Sequence, residues 1–192
     1  RHIKNYCEAA VKHPQFMPRG LFEACVEQFT QHLWRLSYCG GNMNEEISAF
    51  GNFIHYFMKR FYPRWASVKY KSRGNRKKLR VGYISSNFRN QAVSFYMVNR
   101  LLHADKSRFE TIIFSLENRR DEMTERIIEK SDRYIPITDF RDLDAIAQTI
   151  VDSDLDLLVY TDIGMDPLTY KLAALQLVPT QAVLVGHGVT TG

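Results

Sequence analysis

The sequence predicts an α/β protein in which a helical hairpin segment precedes a Rossmann-like lobe built on a parallel sheet. Three observations carry this reading. Residues 1–63 repeat apolar side chains at three- and four-residue intervals, the helical period. Beyond residue 79, short β-branched and aromatic runs alternate with helical stretches of about a dozen residues, the pattern of crossover units on a parallel sheet. Between them, residues 64–78 form a basic stretch that reads as a linker.

The first helix of the hairpin lies in PRGLFEACVEQFTQHLWRLSYCGG, residues 18–41. Leu21, Ala24, Cys25, Gln28, Phe29 and His32 follow helical spacing, and Phe22, Val26, Leu33 and Leu36 widen the apolar face. Pro18 suits an opening position and Gly40–Gly41 a stop. The second helix lies in NMNEEISAFGNFIHYFMKRFYPRW, with Asn44 as its expected cap, Ile47, Phe50, Ile54, Phe57, Met58 and Phe61 as its buried face, and Pro63 as its end. Such pairs build tandem-repeat superhelices, and the segment is TPR-like in that limited sense.

In the second part the expected strands are 79–85, 109–116, 133–138, 155–162 and the buried-looking 181–186. The expected helices are 92–104, 120–131, 140–154 and 167–177, the last opened by Pro167. The domains are therefore 1–63, a linker at 64–78, and a lobe at 79–192.

Composition narrows the function classes. Of 192 residues, 45% are hydrophobic and 24% charged, ordinary for a globular protein, and no apolar run is long enough to span a membrane. Three cysteines without CxxC spacing argue against a disulfide framework or a zinc site and for a cytoplasmic location. The net charge of +5 concentrates in RWASVKYKSRGNRKKLR, which is either a solvated linker or a nucleic-acid patch; the scarcity of aromatic residues favours the linker.

Ligands of an open parallel sheet bind beyond the carboxyl ends of its strands. Three turn-rich segments are expected to meet there: SSNFRNQAVSF after the first strand, TDIGMDP after the fourth and GHGVTTG after the fifth. The first strand is followed by neither GxGxxG nor GxxxxGK[ST], which argues against a dinucleotide dehydrogenase and a P-loop NTPase. No GxSxG elbow and no zinc-binding pair of histidines on a helix is present. Asp166, before Pro167, reads as a helix cap; Asp162, at a strand end, reads equally as a functional carboxylate or a structural one. His187, between Gly186 and Gly188, is the best titratable candidate, although a histidine there also serves by bonding neighbouring loops. Thr190, Thr191 and Ser94 supply hydroxyls and backbone N–H groups suited to a phosphorylated or sugar-like ligand.

At this point LRVGYISSNFRNQAVSFYM, DIGMDPLTYKLAALQLVPTQAV and GHGVTTG resemble the N-terminal half of the catalytic region of glycosyltransferase family 41, the O-linked N-acetylglucosamine transferase-like protein glycosyltransferases. The resemblance covers 79–192, and LVPTQAVLVGHGVTTG is its most specific piece. It implies a GT-B architecture of two lobes, a UDP-sugar donor, a protein side chain as acceptor, and inversion by direct displacement with no metal and no other cofactor. It places the loop after the first strand on the catalytic side, Asp162 and Met165 beside the donor sugar, and His187, Thr190 and Thr191 in a turn lining the cleft. The sequence departs from the family at Gln91 and Phe95, where histidines are common, and at Gly188, where proline is. Gln91 cannot act as a general base near neutral pH.

The expected function is thus a fragment of a cytoplasmic UDP-sugar-dependent protein glycosyltransferase, inactive without its second lobe. The expected partners are an acceptor protein and the UDP-sugar, with no membrane, nucleic acid disfavoured, and a homo-oligomer compatible with the sequence. The alternative, motivated by Gln91, is a non-catalytic GT-B-like binding module that holds a glycosyltransferase or an acceptor protein.

Overall fold

The computed structural model describes residues 2–70 and 76–184. In chain order the elements are α1 (His2–Lys12), α2 (Arg19–Leu36), α3 (Asn44–Phe61), β1 (Leu79–Ser85), α4 (Ala92–Leu102), β2 (Phe109–Ser115), α5 (Glu122–Lys130), β3 (Arg133–Pro136), α6 (Leu143–Asp152), β4 (Leu157–Tyr160), α7 (Pro167–Ala173) and β5 (Thr180–Val183). They form two compact units, residues 2–67 with 163–175, and residues 68–70 and 76–162 with 176–184.

The helical unit is held by phenylalanine. Phe22, fully buried on α2, lies 5.5–5.6 Å in centroid distance from Phe53, Phe57 and Phe61 of α3. Tilted ring pairs of this kind contribute about 0.5–1.5 kcal/mol each beyond the area they bury. The buried face of α2 is Phe22, Cys25, Val26, Thr30 and Leu33, whereas Leu21 and Leu36 are exposed. The expected stripe was too wide: at about 100° per residue, turning Phe22 inward carries Leu21 off the face. On α3 the expected Ile47, Phe50, Ile54, Phe57 and Met58 are buried, joined by Phe53. Asn44 is the first helical residue and Met43 occupies the cap position without a side-chain bond. Asn42 satisfies the Asn44 N–H instead, through Oδ1 at 3.0 Å. Gly40, with φ of 75°, ends the preceding turn in the left-handed region, as the Gly-Gly stop signal anticipated. Two features lay outside the expected hairpin. Helix α1 packs on α3, with Cys7 as its fully buried residue and a Lys4–Glu45 ion pair at 2.7 Å. Helix α7, assigned by sequence to the lobe, packs with α2 and α3: Lys171 pairs with Glu23 at 2.6 Å, and Tyr170 meets Phe50 edge-on at 5.4 Å.

The second unit is a five-stranded, wholly parallel sheet in the order β3-β2-β1-β4-β5. Its core on one side gathers Phe88, Met97, Val98, Leu101, Ile113, Met123 and Ile127, which clamps α4 and α5 to the strands. Asp121 opens α5 with a reciprocal capping box to Thr124, and Asp142 caps α6 through the Ala145 N–H at 2.9 Å. Strand β4 ends at Tyr160, so that Thr161 and Asp162 belong to the loop rather than to the strand. Strand β5 spans 180–183 and is the outer strand of the described sheet; Ala182 and Val183 are exposed, against the expectation of a buried strand, because an outer strand has a sheet neighbour on one side alone. The basic stretch is anchored at its end. Arg76 donates to the Asp154 carbonyl and carboxylate (2.6 and 2.9 Å) and to Asp156 (3.2 Å), and Arg80 pairs with Glu110 at 2.9 Å. These arginines are committed to acids of the sheet's amino-terminal end and are not displayed to a polyanion.

Candidate active site

The strand order reverses direction between β1 and β4, since β2 and β3 lie on one side of β1 and β4 and β5 on the other. In an open parallel sheet this switch point, at the carboxyl ends of the strands, is where a crevice forms. The register that pairs Ile84 with Tyr160 carries the chain out of the sheet at Ser85–Ser86 on one strand and Thr161–Asp162 on the other. Two of the three segments singled out by sequence therefore emerge side by side. The third, after β5, falls outside the described residues, and with it Gly186, His187, Gly188, Thr190 and Thr191.

Asp162 is fully buried and organises the loop after β1. Its Oδ2 accepts from Ser85 Oγ (2.9 Å), Ser86 N (2.8 Å), Ser86 Oγ (2.9 Å) and Asn87 Nδ2 (3.1 Å). Further along, each residue of the loop is held. Ser94 Oγ donates to the Asn87 carbonyl at 2.8 Å, and Thr124 Oγ1 to that of Phe88 at 2.7 Å. The Phe88 ring is fully buried. Arg89 Nε pairs with Glu117 at 3.0 Å, and the Asn90 N–H donates to Asp121 at 2.6 Å. Gln91, the extended residue that opens α4, is half-buried. Its amide orientation is assigned from its neighbours: with Nε2 placed toward Asn87 Oδ1 (2.9 Å) it donates there, and Oε1 then accepts from Arg89 Nη1 and Nη2 (3.2 and 2.9 Å).

The charges at the edge of this network are stabilised in their ionised forms. Burial pushes the Glu117 carboxyl up, but hydrogen bonds from Arg119 and the charges of Arg119 and Arg89 outweigh it and hold the group below the usual range. Asp121 is likewise held low, by the backbone N–H groups of Asn90 and Thr124. Tyr160, the last residue of β4, is fully buried; burial raises its phenol, and its hydroxyl has no partner among the described residues.

Of the expected site residues, Gln91, Asp162 and Ser94 converge on Asn87. Ser94 is fully buried and spends its hydroxyl on the loop carbonyl, so it shapes the site and is not presented to a ligand. Met165 is about one-third exposed and follows Gly164, whose φ of 95° turns the chain. Asp166 caps α7 through the Thr169 N–H at 2.9 Å, as its place before Pro167 suggested. Sequence reasoning located the segment 85–95 without singling out Ser86, Asn87, Arg89 or Glu117. The Ser-Ser-Asn run after a strand was the available signal for the first two; the Arg89–Glu117 pair joins distant parts of the chain and left none. Among the described residues no group of three His, Cys, Asp or Glu could hold a metal ion. The arrangement offers oriented hydrogen-bond groups on a densely hydrogen-bonded loop, suited to fixing the oxygens of a polar ligand.

Comparison with known proteins agrees with this picture. The family model described as glycosyl transferase family 41 matches residues 60–192. A probable UDP-N-acetylglucosamine–peptide N-acetylglucosaminyltransferase of Arabidopsis thaliana is 27% identical over 128 residues, which is 66% of this chain and 13% of that protein. A solved structure of a Thermobaculum terrenum O-GlcNAc transferase mutant superposes with a TM-score of 0.57 at 16% identity, covering 95% of this chain and 36% of that one. The chain thus spans a minor part of the length of the relatives it matches.

Proposed function

The chain belongs to glycosyltransferase family 41, and from that premise we propose that it is the N-terminal part of the catalytic region of a cytoplasmic protein glycosyltransferase, preceded by a TPR-like helical segment. In this reading the donor is a UDP-sugar, the acceptor is a protein side chain, and the sugar is transferred by direct displacement with inversion and without a metal or other cofactor. The family match over residues 60–192, which takes in the whole parallel sheet, is the observation that carries the proposal. The relative from Arabidopsis thaliana, named for a UDP-N-acetylglucosamine donor and a peptide acceptor, supports both substrate classes. Three free cysteines support the reducing compartment.

The chemistry is divided between segments. In this reading the loop 86–91 serves the catalytic side, and the family resemblance assigns Met165 to the donor sugar and His187, with Gly186, Gly188, Thr190 and Thr191, to ligand contacts. Uridine and diphosphate contacts come mainly from a second lobe, so these 192 residues alone turn nothing over. One observation favours the non-catalytic reading as a rival: Gln91, with both its oxygen and its nitrogen engaged by neighbours, supplies no base where family relatives place a histidine.

The test is UDP release by the full-length protein that contains these residues, supplied with UDP-N-acetylglucosamine or UDP-glucose and a mixture of cytoplasmic proteins, with intact-mass analysis of the acceptors. Sugar-sized mass additions that require the UDP-sugar support the transferase. UDP-sugar binding or partner capture with no mass addition supports the binding module.

A further inference from the structure

The hydrogen-bond network of the β1–α4 loop has a charge at each end, and the two charges together fix the direction of both amides between them. At one end the Asp162 carboxylate can only accept, so Asn87 must turn Nδ2 toward it, at 3.1 Å. The Asn87 oxygen then faces Gln91, which must answer with Nε2, at 2.9 Å. That leaves the Gln91 oxygen toward Arg89, whose guanidinium can only donate and does so twice, at 3.2 and 2.9 Å. Arg89 is itself paired in charge with Glu117, whose carboxylate lies 3.0 Å from its Nε. A flip of either amide would set oxygen against carboxylate at one end or N–H against guanidinium at the other. Both lone pairs of the Gln91 oxygen are taken, and one of its two amide protons is spent on Asn87. Among the described residues, the capacity left on this half-buried side chain is a single N–H.

We propose that Gln91 is a donor-only, specificity-determining residue that binds an oxygen acceptor of the ligand (a sugar hydroxyl or an amide carbonyl), and that Asp162 is the positioning residue that sets this polarity through Asn87. The ligand class rests on the transferase reading above; the polarity of the network does not. Asp162 is thereby moved from the catalytic role expected of it to an anchoring one.

The experiment is a pair of double-mutant cycles on the unfolding equilibrium of the full-length protein at pH 7.5, where Gln91→Glu replaces the donating nitrogen with an oxygen of the same shape. With Asn87 locked, the new carboxylate meets the Asn87 oxygen. Gln91→Glu should then raise the unfolding constant about tenfold more in the wild-type background than in Asn87→Ala. With Asn87 free to turn, its NH2 would bond the carboxylate and the sign would reverse; a reversed or zero coupling overturns the polarity. In the Asp162→Ala background, where no acceptor faces Asn87 Nδ2, the extra cost should shrink at least fivefold, and an unchanged cost overturns the role given to Asp162. Should Asp162→Ala fail to fold, Asp162→Glu, which displaces the accepting oxygens, is measured in its place with the same expectation. Transfer from UDP-N-acetylglucosamine provides the ligand arm: Gln91→Glu should lose at least tenfold in kcat/KM, and undiminished transfer overturns the specificity role. Positive cycles in a protein with no turnover would refute the transferase reading alone; null cycles in an active enzyme would refute this inference alone.

Discussion

Replacing Asp162 with alanine removes one oxygen that serves four donors, the Ser86 N–H, the hydroxyls of Ser85 and Ser86, and the Asn87 amide. Hydrogen bonds to a charged group contribute about 1.5–3 kcal/mol each in isolation, but the serine hydroxyls can rotate to other acceptors and the loop can admit water. The two donors with fixed directions, Ser86 N and Asn87 Nδ2, dominate, and the expected cost is about 3–5 kcal/mol. For a region of this size that is a fall of roughly 6–20 °C in Tm. Asp162→Asn keeps an acceptor oxygen in the same place and loses the charge, which halves the strength of each bond, so about 1–2 kcal/mol is expected. Scanning calorimetry of the full-length protein gives the ordering, and hydrogen exchange locates it: the Ser86 amide, slow in the wild type, should exchange at the rate of an open loop in the alanine variant. An alanine variant melting within about 1 °C of the wild type, or an asparagine variant as unstable as the alanine one, would refute the view that this oxygen is the anchor of the loop.

Three further outcomes follow from the same structure. Phe22→Ala should cost about 3–5 kcal/mol, because the ring is fully buried among Phe53, Phe57 and Phe61; a loss below about 1 kcal/mol in urea unfolding would contradict the packing of the helical unit. Glu117 and Asp132 both titrate below their ordinary ranges in the folded state, so the stability they give is complete above those ranges and is lost as pH falls below about 4.5; a urea midpoint that stays level from pH 5 to pH 3, or is indifferent to Glu117→Gln, would count against the contacts of Glu117 with Arg119 and Arg89. Of the three cysteines here, Cys39 is exposed whereas burial pushes the Cys7 thiol up to about 12, so brief iodoacetamide treatment at pH 8 followed by peptide mapping should find Cys39 modified and Cys7 spared.

What the sequence made legible was local. The alternation of apolar strands with helical stretches yielded five strands in their correct places, and Asp166 before Pro167 announced its cap, because such signals are written within a few residues of one another. The short helix α1 was missed because its apolar stripe is thin, with Cys7 alone buried. The packing of α7 with α2 and α3 was missed for a different reason: its place between β4 and β5 in sequence says nothing about which surface its Tyr170 and Lys171 will find. At the candidate site, the emergence of two loops past neighbouring strand ends was legible, but the bonds that Asp162 and Ser94 make were not. A carboxylate past a strand looks the same in sequence whether it faces a ligand or receives four bonds from the neighbouring loop, and only the β1–β4 register brings Ser86 and Asn87 to it.

The most direct measurement is the mass of acceptor proteins after incubation of the full-length protein with UDP-N-acetylglucosamine or UDP-glucose. The account predicts additions of one sugar residue that depend on the intact β1–α4 loop and disappear in Asp162→Ala. Binding of UDP-sugar with no addition to any acceptor, under conditions where the protein is folded, would contradict it.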